Sequence, residues 1–182
     1  PQHGEGCFAR PGLAGHRSGG RYFAPRFSNS KIEMSDYGFV FTSTDSAAEL
    51  GLCYQFELRE SGVLAINAVV TNHGDSRYLL DALSVTLPIP SSAEELVTMT
   101  GSWAREFAIH RQTFLHGAWT AENRTGRTSH EHPPVVWAVQ ANATEWYGEV
   151  WGAHLAWSGN HVLLAEVLAD SRKYLQLGEL LM

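Results

Sequence analysis

The sequence predicts an all-β protein built as an antiparallel sandwich, and three observations point there. Apolar residues recur at every second position in run after run. Gly, Ser, Asn and Pro gather between the runs at hairpin-like spacing. Only one short segment carries a helix-start pattern. Eight to ten strands with at most one short helical turn are expected. Neither a linker-like composition shift nor a repeat interrupts the 182 residues, so a single domain over 1–182 is the natural division.

Residues 1–30 lack periodicity and are rich in Gly, Arg, Pro and aromatics, which reads as an irregular arm with room for one short strand. Its aromatics are expected to pin it to the body of the domain. Phe39-Val-Phe41-Thr opens the first clear strand. Leu50, Leu52, Tyr54, Phe56 and Leu58 then share one face. Glu60-Ser61-Gly62 makes a hairpin turn, and Leu64, Ile66, Ala68 and Val70 return. Leu79–Leu87 is a further strand, closed by Pro88 and Pro90. Ser91 followed by Glu94 looks like a capping box, so 91–96 is expected to form the short helical turn. Trp103, Arg105, Phe107, Ile109 and Arg111 resume the alternation, and residues 116–132 read as a polar loop. Val135–Val139 is compact. Trp146–Trp157 reads as one long strand that pairs with the strand of Val162, Leu164 and Glu166 through a turn at 158–160.

Composition limits function. Hydrophobic residues at 44% and charged residues at 18% describe a folded chain rather than a disordered one. A net charge of −6 argues against a nucleic-acid partner, which calls for a basic stripe. No run reaches the roughly 18 apolar residues of a membrane helix, and no apolar leader opens the sequence. Both ends read as cuts in a longer polypeptide, and a cytoplasmic location is expected. Cys7 and Cys53 stand outside any zinc pattern, which leaves one disulfide open. Asn123-Arg-Thr125 and Asn142-Ala-Thr144 match the glycosylation triplet.

Three constellations could carry chemistry. His130-Glu131-His132 has the spacing of a metal pair, but Pro133-Pro134 follows, and no acid comes before Glu145. That favours a hydrogen-bonded loop, and no metal is expected. Glu149 and Glu166 fall on apolar-faced strands and could form the acid pair of a glycosidase, with a structural ion pair the stronger reading. Six tryptophans are many for this length: Trp151 and Trp157 alternate into a core face, whereas Trp119 lies in the polar loop, free for a ligand or partner. Walker, dinucleotide and Gly-x-Ser-x-Gly motifs are missing, so no cofactor is expected.

Several motifs occur in a telling order. Arg10-Pro11-Gly12-Leu13 with Gly15-His16-Arg17 and Pro25-Arg26-Phe27 comes first. Leu87-Pro88-Ile89-Pro90 leads into Gly101-Ser102-Trp103-Ala104-Arg105-Glu106. Gly126-Arg127-Thr128-Ser129-His130 follows, and Tyr147–Gly152 with Leu155–Asn160 closes. Together they resemble the N-terminal β-sandwich of the α-galactosidases of glycoside hydrolase family 36. The resemblance implies a galactose-mutarotase-like β-supersandwich placed before a catalytic (β/α)₈ barrel. The parent enzyme would hydrolyse terminal α-galactosides with retention, using two aspartates on the barrel. A barrel needs at least about 200 residues by itself, and the family's Lys-Trp-Asp motif is absent here, so no catalytic residue is carried over. Ser18-Gly19-Gly20-Arg21 only superficially matches the family's general-acid motif, since Phe23-Ala24 stands where Asp would fall.

The implied partners are the enzyme's own downstream barrel and, at full length, further copies of itself, with α-galactoside reached only indirectly. Trp119, Arg127, Ser129 and His130 are the candidate barrel-interface or site-mouth residues. Phe8, Arg10, His16 and Arg17 are the candidate arm contacts. In some relatives an N-terminal loop reaches a neighbouring subunit's site. The matching arm here, Cys7-Phe8-Ala9-Arg10, lacks the acidic residue those relatives carry. A self-standing carbohydrate-binding β-sandwich module is the alternative.

Overall fold

A computed structural model describes residues 1–3, 5, 6 and 8–181. Cys7 lies outside them; among the described residues, Cys53 is a free thiol. The described residues form thirteen strands in three largely antiparallel sheets, with one 3-10 turn at Ser18–Gly20 as the only helical element. The all-β prediction holds, although the strands outnumber those expected. Two compact units divide the chain, Pro1–Val85 and Thr86–Met182.

In the first unit, β1 (Leu13–Arg17) pairs with the opening half of β6 (Tyr78–Ile89). A separate sheet runs in the order β2-β3-β4-β5, from β2 (Asn29–Ser35) through β3 (Gly38–Asp45) and β4 (Leu50–Leu58) to β5 (Leu64–Asn72). The β4–β5 hairpin turns at Gly62, whose φ of +82° is open to glycine at little cost. The register sets Ile32, Phe41, Tyr54 and Ala68 in one row and Met34, Phe39, Phe56 and Ile66 in the next. Phe39 and Phe56 stack with ring centroids 4.3 Å apart. Burial holds the Tyr54 phenol above the ordinary phenol range. The folded state therefore keeps this proton more tightly than the unfolded chain. Its contribution is complete below the unfolded value of about 10 and is lost as pH rises through the folded one. Tyr54→Phe should flatten the alkaline loss of stability, read as the urea midpoint between about pH 9 and 12; an unchanged alkaline limb would refute this.

The arm is tied down by polar groups rather than aromatics. Gln2 bonds the backbone of Phe27 in both directions, at 2.7 and 3.2 Å, and Asp45 accepts from the Arg26 amide at 2.6 Å. Phe8 is 79% exposed and Phe23 62%, so these two rings do not pin the arm, whereas Phe27 is half-buried.

In the second unit, one sheet is β11-β10-β7-β8: β7 (Ala93–Ser102), β8 (Arg105–Thr113), β10 (Val135–Gln140) and β11 (Val150–His154). Opposite it, β13 (Lys173–Leu180), β12 (His161–Val167) and β9 (Gly117–Asn123) continue outward from the end of β6, with Gln176 bonded to Thr86 at 2.9 Å. Leu96, Phe114, Val136, Leu163, Leu175 and Leu177 form the core of this sandwich, with Trp119, Trp151 and Leu155 packed against it.

Three expectations fail here. The helical turn at 91–96 is the start of β7. Val139 pairs with Glu95 and Gln140 with Ala93, so Glu94 is a β-bulge. The bulge turns both Ala93 and Leu96 into the core, and that three-residue spacing imitates a helix. The polar loop starts only at Arg124, because 117–123 is β9, whose inward residues include the small Ala121. Finally, β11 pairs with β10 whereas β12 pairs with β13 and β9, so 158–160 is a passage between sheets and not a hairpin. Glu149 precedes β11, exchanging bonds with Gln140, and Glu166 sits on β12; the proposed strand pairing between them is absent.

Candidate functional site

The Arg124–Pro134 segment is held at both ends by buried polar side chains. Asn123, 3% exposed, folds the first turn: its amide donates to the Arg127 carbonyl at 2.6 Å, and its oxygen accepts from the Thr125 amide and hydroxyl at 2.9 and 2.8 Å. This is an Asx-type turn, and it commits the Asn123 side chain to the protein interior rather than to a glycan. The middle is tied to the chain after β11, the Thr128 amide donating to the Ser158 carbonyl at 2.7 Å and the Gly126 amide to Asn160 Oδ1 at 2.8 Å. His161, fully buried, spans the far end: its ring nitrogens lie 3.1 Å from the carbonyls of Gly159 and of His132. Pro133 and Pro134 are buried beyond it.

This segment forms one side of a cleft of about 700 Å³. Arg127, Thr128, Ser129 and His130 contribute from the loop, His154 to Ser158 from the end of β11, and Phe107 from β8. Trp157 is 44% exposed, and its indole rests over Gly159, where an added Cβ would lie 2.6 Å from the indole nitrogen. The sequence had placed Trp157 in the core beside Trp151. The strand ends at His154, and the bond from the Trp157 amide to the Leu155 carbonyl, 2.8 Å, breaks the alternation that would have turned the ring inward.

Of the residues singled out from sequence, Arg127, Ser129 and His130 come together in this cleft. Trp119 does not: it lies on β9, half-buried against the core, and borders a separate 350 Å³ hollow with Phe114 and His116. Phe8, Arg10, His16 and Arg17 belong to the first unit. His16 bonds the Arg17 carbonyl at 2.8 Å, and Arg17 is 2% exposed, a buried structural arginine rather than an arm contact. Sequence reasoning singles out neither Phe107 nor His154 as a site residue and assigns Trp157 to the core; only the Gly159-Asn160 break after Trp157 hints at an outward turn. Among the described residues, no three His, Cys, Asp or Glu side chains gather as a metal would require. No helix among the described residues is long and apolar enough to cross a membrane.

A profile of the glycosyl hydrolase family 36 N-terminal domain matches residues 1–181. The chain belongs to that family. As a family 36 N-terminal domain, it is 39% identical over 171 residues to the α-galactosidase of Escherichia coli, a match covering 94% of this chain and 24% of the relative. It is 34% identical over 125 residues to α-galactosidase AgaA of Geobacillus stearothermophilus, covering 68% and 17% of the two chains. The domain thus spans about a quarter or less of the curated relatives it matches. Among solved structures, the galactosidase domain of the α-galactosidase–sucrose kinase AgaSK superposes with a TM-score of 0.82 at 20% identity, covering 98% of this chain and 28% of that one. The α-galactosidase of Lactobacillus brevis does so at 0.80 and 20%, covering 97% and 26%. At such identities these likenesses attest the fold.

Proposed function

We propose that this domain is the non-catalytic N-terminal part of an α-galactosidase that hydrolyses terminal α-galactosides with retention at full length. The observation that carries this reading is the match along nearly the whole chain to one end-domain of enzymes about four times longer. The paired carboxylates that glycoside hydrolysis needs are not assembled by Glu149 and Glu166, whose neighbouring strands lie in different sheets. The work of the domain is to support the catalytic barrel and shape the mouth of its active site, with Arg127, Ser129 and His130 facing the barrel. A homo-oligomeric enzyme in the cytoplasm is part of the proposal.

The isolated chain should show no turnover of an aryl α-galactoside, whereas the polypeptide extended through its downstream sequence should be active. Turnover by the chain alone would overturn the assignment. Saturable binding of galactose or raffinose by the chain, seen by titration calorimetry, would favour a carbohydrate-binding module instead.

A further inference from the structure

The cleft between the 124–134 loop and the end of β11 has a chemistry at odds with the rest of the chain. The chain carries a net charge of −6, yet the charged or titratable residues lining the cleft are Arg127, His130 and His154, with no Asp or Glu among them. Among the described residues, these three side chains make no hydrogen bond or ion pair. Arg124, three residues before Arg127 on the same loop, is by contrast paired with Glu122 at 2.8 Å. The backbone beneath them is fixed by the buried side chains of Asn123 and His161. A rigid backbone presenting the unsatisfied guanidinium of Arg127 beside two free imidazoles is preorganised for an anionic group, because the ordering cost is met during folding rather than at binding.

The surroundings indicate what carries that group. Pro133, Pro134, Val135, Leu155 and Trp157 give the cleft apolar walls. The strand register continues that surface along the outer face of the sheet, from His154 and Val135 to Trp137 and Val97, with Arg111 opposite Val97, and to Met99 opposite Ile109, which is 64% exposed. Trp, Phe, Met and Arg around an apolar centre are the composition of a protein–protein interface.

We propose that this cleft receives an acidic side chain from the catalytic portion of the same enzyme. Arg127 and His130 hold its carboxylate from the loop, His154 holds it from β11, and Phe107 and Trp157 cover its stem. The proposal rests on the reading of the chain as the N-terminal part of a larger glycosidase, and names the partner chemistry of the surface assigned there to the barrel.

The test uses full-length enzyme and reads hydrogen–deuterium exchange of the 124–134 backbone. The segment should exchange at least about 10-fold more slowly at full length than in the 182-residue chain, in line with a charge-assisted contact. Arg127→Gln and Arg127→Glu should abolish most of that protection, and Arg124→Gln, outside the cleft, should leave it intact. Wild-type protection in both Arg127 variants would overturn the proposal, as would an unprotected loop in an enzyme that hydrolyses α-galactosides; either result leaves the glycosidase reading standing. Protection of the loop by raffinose in the chain alone would also overturn it, in favour of a sugar site. A full-length enzyme without α-galactosidase activity would instead remove the reading beneath it.

Discussion

Arg17→Met is expected to destabilise the protein by about 2–3 kcal/mol, the scale seen when buried or half-buried neutral acceptors lose a charged donor. The Arg17 side chain donates to the Ala48 carbonyl at 2.8 Å, to Asn72 Oδ1 at 2.9 Å, to Ser76 Oγ at 2.9 Å and to the Ser76 carbonyl. Met fills much of the same volume and supplies no donor, so the measured loss reports the stranded carbonyls rather than a void. Glu49 stands 3.7 Å away with its side chain 55% exposed, so the solvent-screened ion pair contributes little. Glu49→Gln should therefore cost less than about 1 kcal/mol. Urea unfolding of both variants separates the contributions. Equal losses would mean that the ion pair, and not the carbonyl network, is what Arg17 supplies.

Leu175→Ala should cost as much or more for an unrelated reason. Leu175 is fully buried on β13, within the core of the second unit beside Leu163 and Leu177. Truncation there loses transfer free energy and leaves a cavity that strands on either side cannot collapse to fill, at about 3–5 kcal/mol. At this chain length that lowers the melting temperature by roughly 6–20 °C. Xenon or benzene should bind the cavity and recover part of the loss. A cost below about 1 kcal/mol would show that the core relaxes around the missing methyls.

The elements legible in the sequence were those in which alternation was enforced by burial. On β4 the odd–even pattern of Leu50 to Phe56 and the turn at Gly62 gave the hairpin directly. Where burial is absent, so is the signal: β2 alternates Lys31 and Glu33 with Ile32 and Met34, but every residue of it is exposed. β9 hid for the opposite reason, since its fully buried positions are Ala121 and Asn123, small or polar residues that do not register as a hydrophobic face. Strand pairing after 158 was beyond reach, because β12 pairs with β9, about 40 residues earlier in the chain, as in His161 with Asn123, which no local pattern encodes. The same limit applied to the site. Arg127, Ser129 and His130 stood out as polar residues among glycines, whereas Trp157 and His154 join them only because the chain leaves β11 at that point.

The bulge at Glu94 acts as a phase shifter. Before it, odd-numbered positions of β7 face the interior, as Ala93 does; after it, even-numbered ones do, as Leu96 and Thr98 do. Any rule for which side chains of this strand tolerate a charge therefore inverts at one residue. Deleting Glu94 would remove the extra residue and leave Ala93 and Leu96 two positions apart, both still on the inner face of a regular strand. A one-residue gap at the bulge is therefore the one this strand can absorb, whereas a gap anywhere else along it turns the inward residues on one side of the break to the outer face.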